Sequence, residues 1–347
     1  MPWPYQQKTI LPFMNHNPIP QFEEISRMIS VARQRALRLV NHELVQLYWE
    51  VGRYIHKRVS AAEWGDGVVQ ALADYLRQRH PDLKGFSRRG LFRMKQFYET
   101  YEGDEKVSAL LTQIPWTHHL AILSRTRDMA EKRFYLEKCV AEGYSSRELE
   151  RQIKSGLYER SQLHPSALSP KLSESHPDAW QVFRDPYIFE FLQLPAQHGE
   201  KDLRKAIVHH LGAFILEMGR DFSLIGEEYR VQVGMEDFYL DLLLFHRGLQ
   251  CLVAVELKIE HFQPAHLGQL NFYLEALDRD VRKPHENPSV GIILCKSKDE
   301  EVVEYALSRQ LSPALVAEYR TQLIDKETLR RKLHELFLLA ERNDPDA

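Results

Sequence analysis

Asp241, Glu256 and Lys258 stand within DFYLDLLLFHRGLQCLVAVELK, residues 237–258, a stretch that reads as two apolar strands around a short turn. FYLDLLLF breaks its apolar run only at Asp241, and LVAVELK is apolar on both faces until its end. Burying isolated carboxylates is costly or forces protonation, so a cation should compensate. Lys258 answers for only one of the two acids. A turn at Arg247 and Gly248, or a four-residue loop from His246 to Leu249, sets Asp241 opposite Ala254. Glu256 and Lys258 then share its face, because side chains alternate along a strand. Diagonal cross-strand neighbours lie about 7 to 8 Å apart at the backbone, close enough for two carboxylates to converge on one ion. A three-residue loop would put the acids on opposite faces. Paired carboxylates suit Mg²⁺, which keeps several waters and completes its shell with a substrate phosphate; an adjacent ammonium can orient water or steady phosphate charge. The chemistry such a trio can do is phosphodiester hydrolysis. The triplet ELK alone says little, and a solvated sheet face is its competing reading.

Three further groups bear on that chemistry. Gln269 and Tyr273 lie one turn apart on the helix that follows, although packing of Tyr273 with Leu270 and Leu277 would also account for them. Glu217 sits near the C-terminus of a helix whose buried stripe includes Ile207, Leu211, Phe214 and Met218. The helix dipole disfavours an acid there, so Glu217 is a candidate metal ligand or partner of a basic group, an exposed Glu being the commoner case. Lys84, Arg88, Arg89, Arg93 and Lys95 fall between Leu83 and Gln96 without an acid, interleaved with Phe86, Phe92 and Phe97. Arg88 and Arg89 open the second helix of a helix-turn-helix pattern, where base edges or phosphates are met. Positive charge at a helix N-terminus opposes self-stability and favours an anionic partner, DNA, over the bland alternative of a solvated face. His118 with His119, and His209 with His210, point apart on a helix and lack an acid or cysteine to complete a metal site.

The elements that must position these residues divide in two. Residues 1–20 hold five prolines and read as a tail. Residues 21–160 follow helical spacing: Ile29, Leu37, Val40, Leu44, Leu47, Tyr48 and Val51 recur at threes and fours on a first long helix. A second spans about 67–80 and ends at Pro81; a third opens at Ser87 as N-cap, with Phe86 and Leu91 as a hydrophobic staple. Ser145 and Glu148 stand at capping-box spacing before another. Residues 161–180, rich in Ser and Pro, read as a linker. From 181 to 347 helices and strands alternate. Helices are expected over 201–218, 264–277, 299–308 and at the C-terminus; strands over 224–233, 238–245, 251–258, 290–295 and 315–319. This is an α/β domain with a mixed sheet, since its opening pair is a hairpin.

At 347 residues the chain exceeds what one core usually organises. Its 3 cysteines are far apart and form no CxxC pair, so neither a disulfide framework nor a zinc site is suggested. The sequence suggests neither a signal peptide nor a membrane span, so a cytoplasmic protein is expected. The net charge of -3 conceals an asymmetry: residues 1–160 carry 25 Lys and Arg against 19 Asp and Glu, the remainder 21 against 30. The basic half is the one expected to face a polyanion. Long amphipathic helices favour a homodimer.

The second half resembles the PD-(D/E)XK nuclease superfamily, and the whole layout resembles the bacterial YhcG-type proteins, a helical N-terminal domain joined to a restriction-endonuclease-like domain. The stretches that carry it are LVNHELVQLYWEVGRYI, GFSRRGLFRMKQFYETY, IPWTHHLAIL and GYSSRELERQI, then FYLDLLLF, VELK and GQLNFYLEAL. The resemblance implies a mixed sheet flanked by helices and cleavage of DNA by water with Mg²⁺, for which Mn²⁺ would substitute. Asp241 would be its metal-binding Asp, Glu256 its second acid, Lys258 its lysine and Glu217 its helix-borne acid; Gln269 and Tyr273 would be the QxxxY element of repair-type members. The Pro that names the superfamily is absent, Leu240 standing before Asp241. The fold also hosts members that only bind, so a non-catalytic DNA-binding or scaffold protein of a defence, repair or mobile-element system is the alternative.

Overall fold

In the computed structural model the described residues are 19–163, 168–195 and 197–331. The expected tail, up to residue 18, and the C-terminal helix beyond residue 331 lie outside them. Two compact units divide between Leu123 and Ser124.

The first unit is helical: α1 (Ile19–Ser60), α2 (Asp66–Arg79), α3 (Arg88–Tyr101), α4 (Glu105–Leu111) and most of α5 (Trp116–Arg125). One seam of α1, through Val45, Tyr48 and Ile55, is buried with Val69, Phe86, Leu91 and Met94. Gly52 lies in that seam because a Cβ there would come within 2.1 Å of the Met94 carbonyl oxygen; the absent side chain lets α1 and α3 touch. Ser87 caps α3 by accepting the Gly90 amide at 3.2 Å, and both staple residues, Phe86 and Leu91, are buried, as the spacing predicts. His119 is buried and donates through Nε2 to the Leu111 carbonyl at 2.8 Å; burial pushes its pKa down to about 4, leaving a neutral structural imidazole.

The second unit opens with α6 (Met129–Glu142), α7 (Ser146–Lys154) and α8 (Leu157–Gln162), followed by α9 (Pro170–Ser175) and α10 (Ala179–Val182). The structural division therefore precedes the Ser- and Pro-rich segment where composition sets it. From residue 168 that segment is tied down: Ser169 Oγ accepts the Leu172 amide at 3.2 Å and the Ala314 amide at 3.0 Å, and Leu172 is fully buried. Next come β1 (Tyr187–Ile188), α11 (Glu200–His209), α12 (Leu211–Met218), β2 (Phe222–Val233), β3 (Glu236–His246) and β4 (Cys251–His261). They are followed by α13 (Ala265–Asp280), β5 (Asn287–Ser297), α14 (Glu300–Ser308) and β6 (Ala314–Arg320). The single helix expected over 201–218 is two, broken at His210.

The sheet runs β1-β6-β5-β4-β3-β2, with β1, β6, β5 and β4 parallel and the β4-β3-β2 edge antiparallel. It is mixed, as expected. Residues 251–257 of β4 are all buried, the mark of a strand covered on both faces. Leu242, Leu244, Val253, Val255 and Leu257 enter the core shared with α11 and α12; Leu240, Leu243, Leu252 and Ala254 enter the one under α13.

Candidate active site

Strand β3 meets β4 through Leu242↔Val255, Leu243↔Ala254 and onward to His246↔Cys251. The expected pairing of Asp241 with Ala254 is two residues off, because the connection is the four residues Arg247–Gln250 rather than either loop considered above. The cause is local: buried His246 accepts the Leu249 amide on Nδ1 at 2.9 Å, and Gln250 takes a positive φ of 51°. Asp241 and Glu256 stand next beyond the last pair, Leu242↔Val255, and the Asp241 charge is felt at Glu256.

β3 leaves β4 at this point. Leu240 and Leu243 share one core although three residues apart, so the alternation slips at Asp241. The Asp241 side chain fills the gap: Oδ2 accepts the Leu257 amide at 2.9 Å, replacing a ladder bond, and Oδ1 accepts Arg204 Nη1 from α11 at 2.8 Å. Arg204 also donates to Glu228, which holds a positive φ of 43° on the edge strand β2.

Glu256 is 2% exposed. Its Oε2 lies 3.4 Å from Lys258 Nζ, while Oε1 is buried with no hydrogen-bond partner. Burial first, and then the charge of Asp241, push the Glu256 carboxyl up to about 7 against the pull of Lys258 and, more weakly, of the Asp241 backbone amide. For Lys258, burial opposes the charge, but Glu256 and next Glu200 hold the ammonium above its ordinary range. Tyr273 donates to the Tyr239 carbonyl at 2.8 Å and accepts Gln269 Nε2 at 3.2 Å, which ties α13 to the strand bearing Asp241. Burial raises the Tyr273 pKa, and the charges of Glu256 and Asp241 add to the effect.

Glu217 belongs to a different environment. Its side chain is fully buried, with Oε1 accepting Arg160 Nη1 at 3.0 Å and the Ile188 amide at 2.9 Å. Oε2 accepts Arg151 Nη1 at 3.1 Å and Gln152 at 3.3 Å, and Arg184 approaches to 3.8 Å. Burial would raise its pKa, yet Arg160, Arg184 and Arg151 outweigh burial and hold it at about 2. Of the two roles the helix dipole suggests for Glu217, the structure fills the basic-partner one; both oxygens are taken by guanidinium and amide donors.

Arg204 and Glu200 are the residues that sequence reasoning missed. Both sit in the first half of α11, where Glu is ordinary and Arg unremarkable, so only the fold reveals that they reach the Asp241 and Lys258 charges. The basic residues all lie in the first unit: Lys84, Arg88 and Arg89 are exposed, Arg88 covers the Phe92 ring, Arg93 is half-buried, and Lys95 pairs with Glu99 at 2.7 Å.

A divalent cation fits Glu256; at Asp241 it would have to displace Arg204 or the Leu257 amide, one of which each oxygen now accepts. The orphaned Oε1 of Glu256 and the raised pKa both report negative charge short of compensation. Among the described residues no three acids, histidines or cysteines converge, so waters and substrate oxygens would have to fill the remaining positions, as is usual for Mg²⁺.

The YhcG PDDEXK nuclease domain matches residues 180–334, and the DUF1016 N-terminal domain matches residues 24–160. The chain is 31% identical over 346 residues to the Escherichia coli (strain K12) protein named "Putative nuclease YhcG", covering 89% of this chain and 92% of that one. A repair endonuclease from Pyrococcus abyssi is 16% identical, with a TM-score of 0.25 over 37% of this chain and 49% of that one, too slight a likeness to bear on the argument. Nuclease domain, N-terminal domain and full-length relative agree: the chain belongs to the YhcG family of PDDEXK nucleases.

Proposed function

We propose that this chain is a Mg²⁺-dependent deoxyribonuclease, with Mn²⁺ able to substitute, that hydrolyses phosphodiester bonds by water without a covalent intermediate. The observation that carries the reading is the unpartnered, buried Oε1 of Glu256 within the field of Asp241. Asp241 and Glu256 would hold the ion. Bound there, it would supply charge neutralisation on a phosphate and a more acidic water. Lys258, with one contact to Glu256, keeps donors for a water or a phosphate oxygen. Gln269 and Tyr273 fix α13 and the Asp241 strand relative to each other. The helical N-terminal region would grip DNA through Lys84, Arg88, Arg89, Arg93 and Lys95. Plasmid nicking by purified protein with Mg²⁺ or Mn²⁺ tests the enzyme: wild type cuts, Asp241→Ala and Lys258→Ala do not. A wild type that cuts no better than these variants sinks the proposal.

One observation favours a second reading, a module that binds DNA without cutting it. Both Asp241 oxygens already have donors, Arg204 and the Leu257 amide. That reading predicts DNA affinity indifferent to Mg²⁺ and to Asp241→Ala.

A further inference from the structure

Beyond the nuclease site, α1 presents an apolar stripe that the described residues leave uncovered. On the side away from its buried seam, Phe22, Ile25, Ile29, Val40, Leu47 and Tyr54 follow helical spacing, and each is exposed or lines an open groove. The stripe covers about 48 Å of helix. Upstream of Asn41 every α1 side chain described is exposed, so the first half of this helix has no partner among the described residues. A helix with eight large exposed apolar residues in that half requires one, since helix stability in water comes mostly from packing an apolar face.

We propose that the partner is α1 of a second copy, packed antiparallel. The stripe is self-complementary about residue 38. In that register Ile25 faces the partner's Val51, Ile29 the partner's Leu47, and Ala36 the partner's Val40, small against large. The two charges that interrupt the stripe, Arg33 and Glu43, face each other across the axis, and neither has an ion-pair partner among the described residues. A parallel pair would set Arg33 against Arg33 and Glu43 against Glu43, which opposes it. The register also delivers the Phe22 end to Tyr54, Trp64, Leu72 and Leu76, which line a cavity of about 780 Å³. One isologous contact thus covers both free rods and fills both grooves. The proposal rests on α1 alone and stands apart from the nuclease reading.

Sedimentation equilibrium on the full chain at micromolar concentration tests it. Wild type is expected to be a dimer. Arg33→Glu and Glu43→Arg should each weaken association by about tenfold or more, and the double swap should restore it. A mixture of Ile29→Cys and Leu47→Cys chains should form disulfide-linked dimers. Ile29→Cys alone should not, its two copies lying about 27 Å apart. A monomeric wild type overturns the proposal, as does a dimer whose affinity ignores both charge swaps or in which Ile29→Cys links to itself. A monomer that loses DNA binding on Arg33→Glu overturns it too, and makes the stripe a nucleic-acid face.

Discussion

Glu256 and Glu217 are both buried glutamates in the second unit, and their carboxyls are pushed in opposite directions. Glu217 is held at about 2 by Arg160, Arg184 and Arg151. Glu256 is pushed up to about 7 by burial and by Asp241, with Lys258 as its one cationic contact. Burial alone therefore does not mark a functional acid; what separates the two is whether the fold supplies enough donors. A saturated carboxylate is a keystone of packing. An undersupplied one is poised to take a cation.

The largest effect that would break this contrast is on stability. Glu217→Gln leaves three guanidinium groups around a neutral amide and should destabilise the chain by about 3–5 kcal/mol, read by urea denaturation. Glu256→Gln should be neutral or stabilising at pH 8 without metal, yet lower plasmid cleavage by about 100-fold or more. Equal destabilisation of the two variants would erase the distinction.

The same pair predicts opposite pH slopes. The Glu256 pKa is raised from an ordinary 4.5 to about 7, so the folded state binds the extra proton across that window. Metal-free stability should fall by about 3 kcal/mol as pH rises from 4.5 to 7, then level off, and Glu256→Gln should flatten the slope. For Glu217 the folded pKa is depressed, so its contribution is complete above 4.5 and is lost as pH falls toward 2. Denaturation midpoints across this range check both signs.

Smaller effects sharpen the account. Arg88→Glu with Arg89→Glu should weaken DNA binding and flatten its dependence on salt, measured by titration at several ionic strengths. Tyr273→Phe loses the donor to the Tyr239 carbonyl and should cost about 1 kcal/mol of stability.

Much of this was legible in the sequence where local rules suffice. The Ser87 cap, the Phe86 and Leu91 staple and the strands around the acids follow from spacing and alternation. The register did not, because the local contact from the Leu249 amide to His246 and the positive φ at Gln250 set a four-residue loop one residue further along, which alternation does not reveal. Glu217 kept two readings because its partners Arg151, Arg160 and Arg184 lie far from it in the chain. Arg204 escaped notice for the same reason.

The central claim is that Asp241 and Glu256 together seat a divalent ion, and calorimetric titration of Mn²⁺ into the full chain at pH 6 and pH 8 tests it most directly. The account predicts one site that binds more weakly at pH 6, with proton release as Glu256 ionises, and that disappears in Asp241→Asn with Glu256→Gln. Binding of equal strength in that double variant would contradict it.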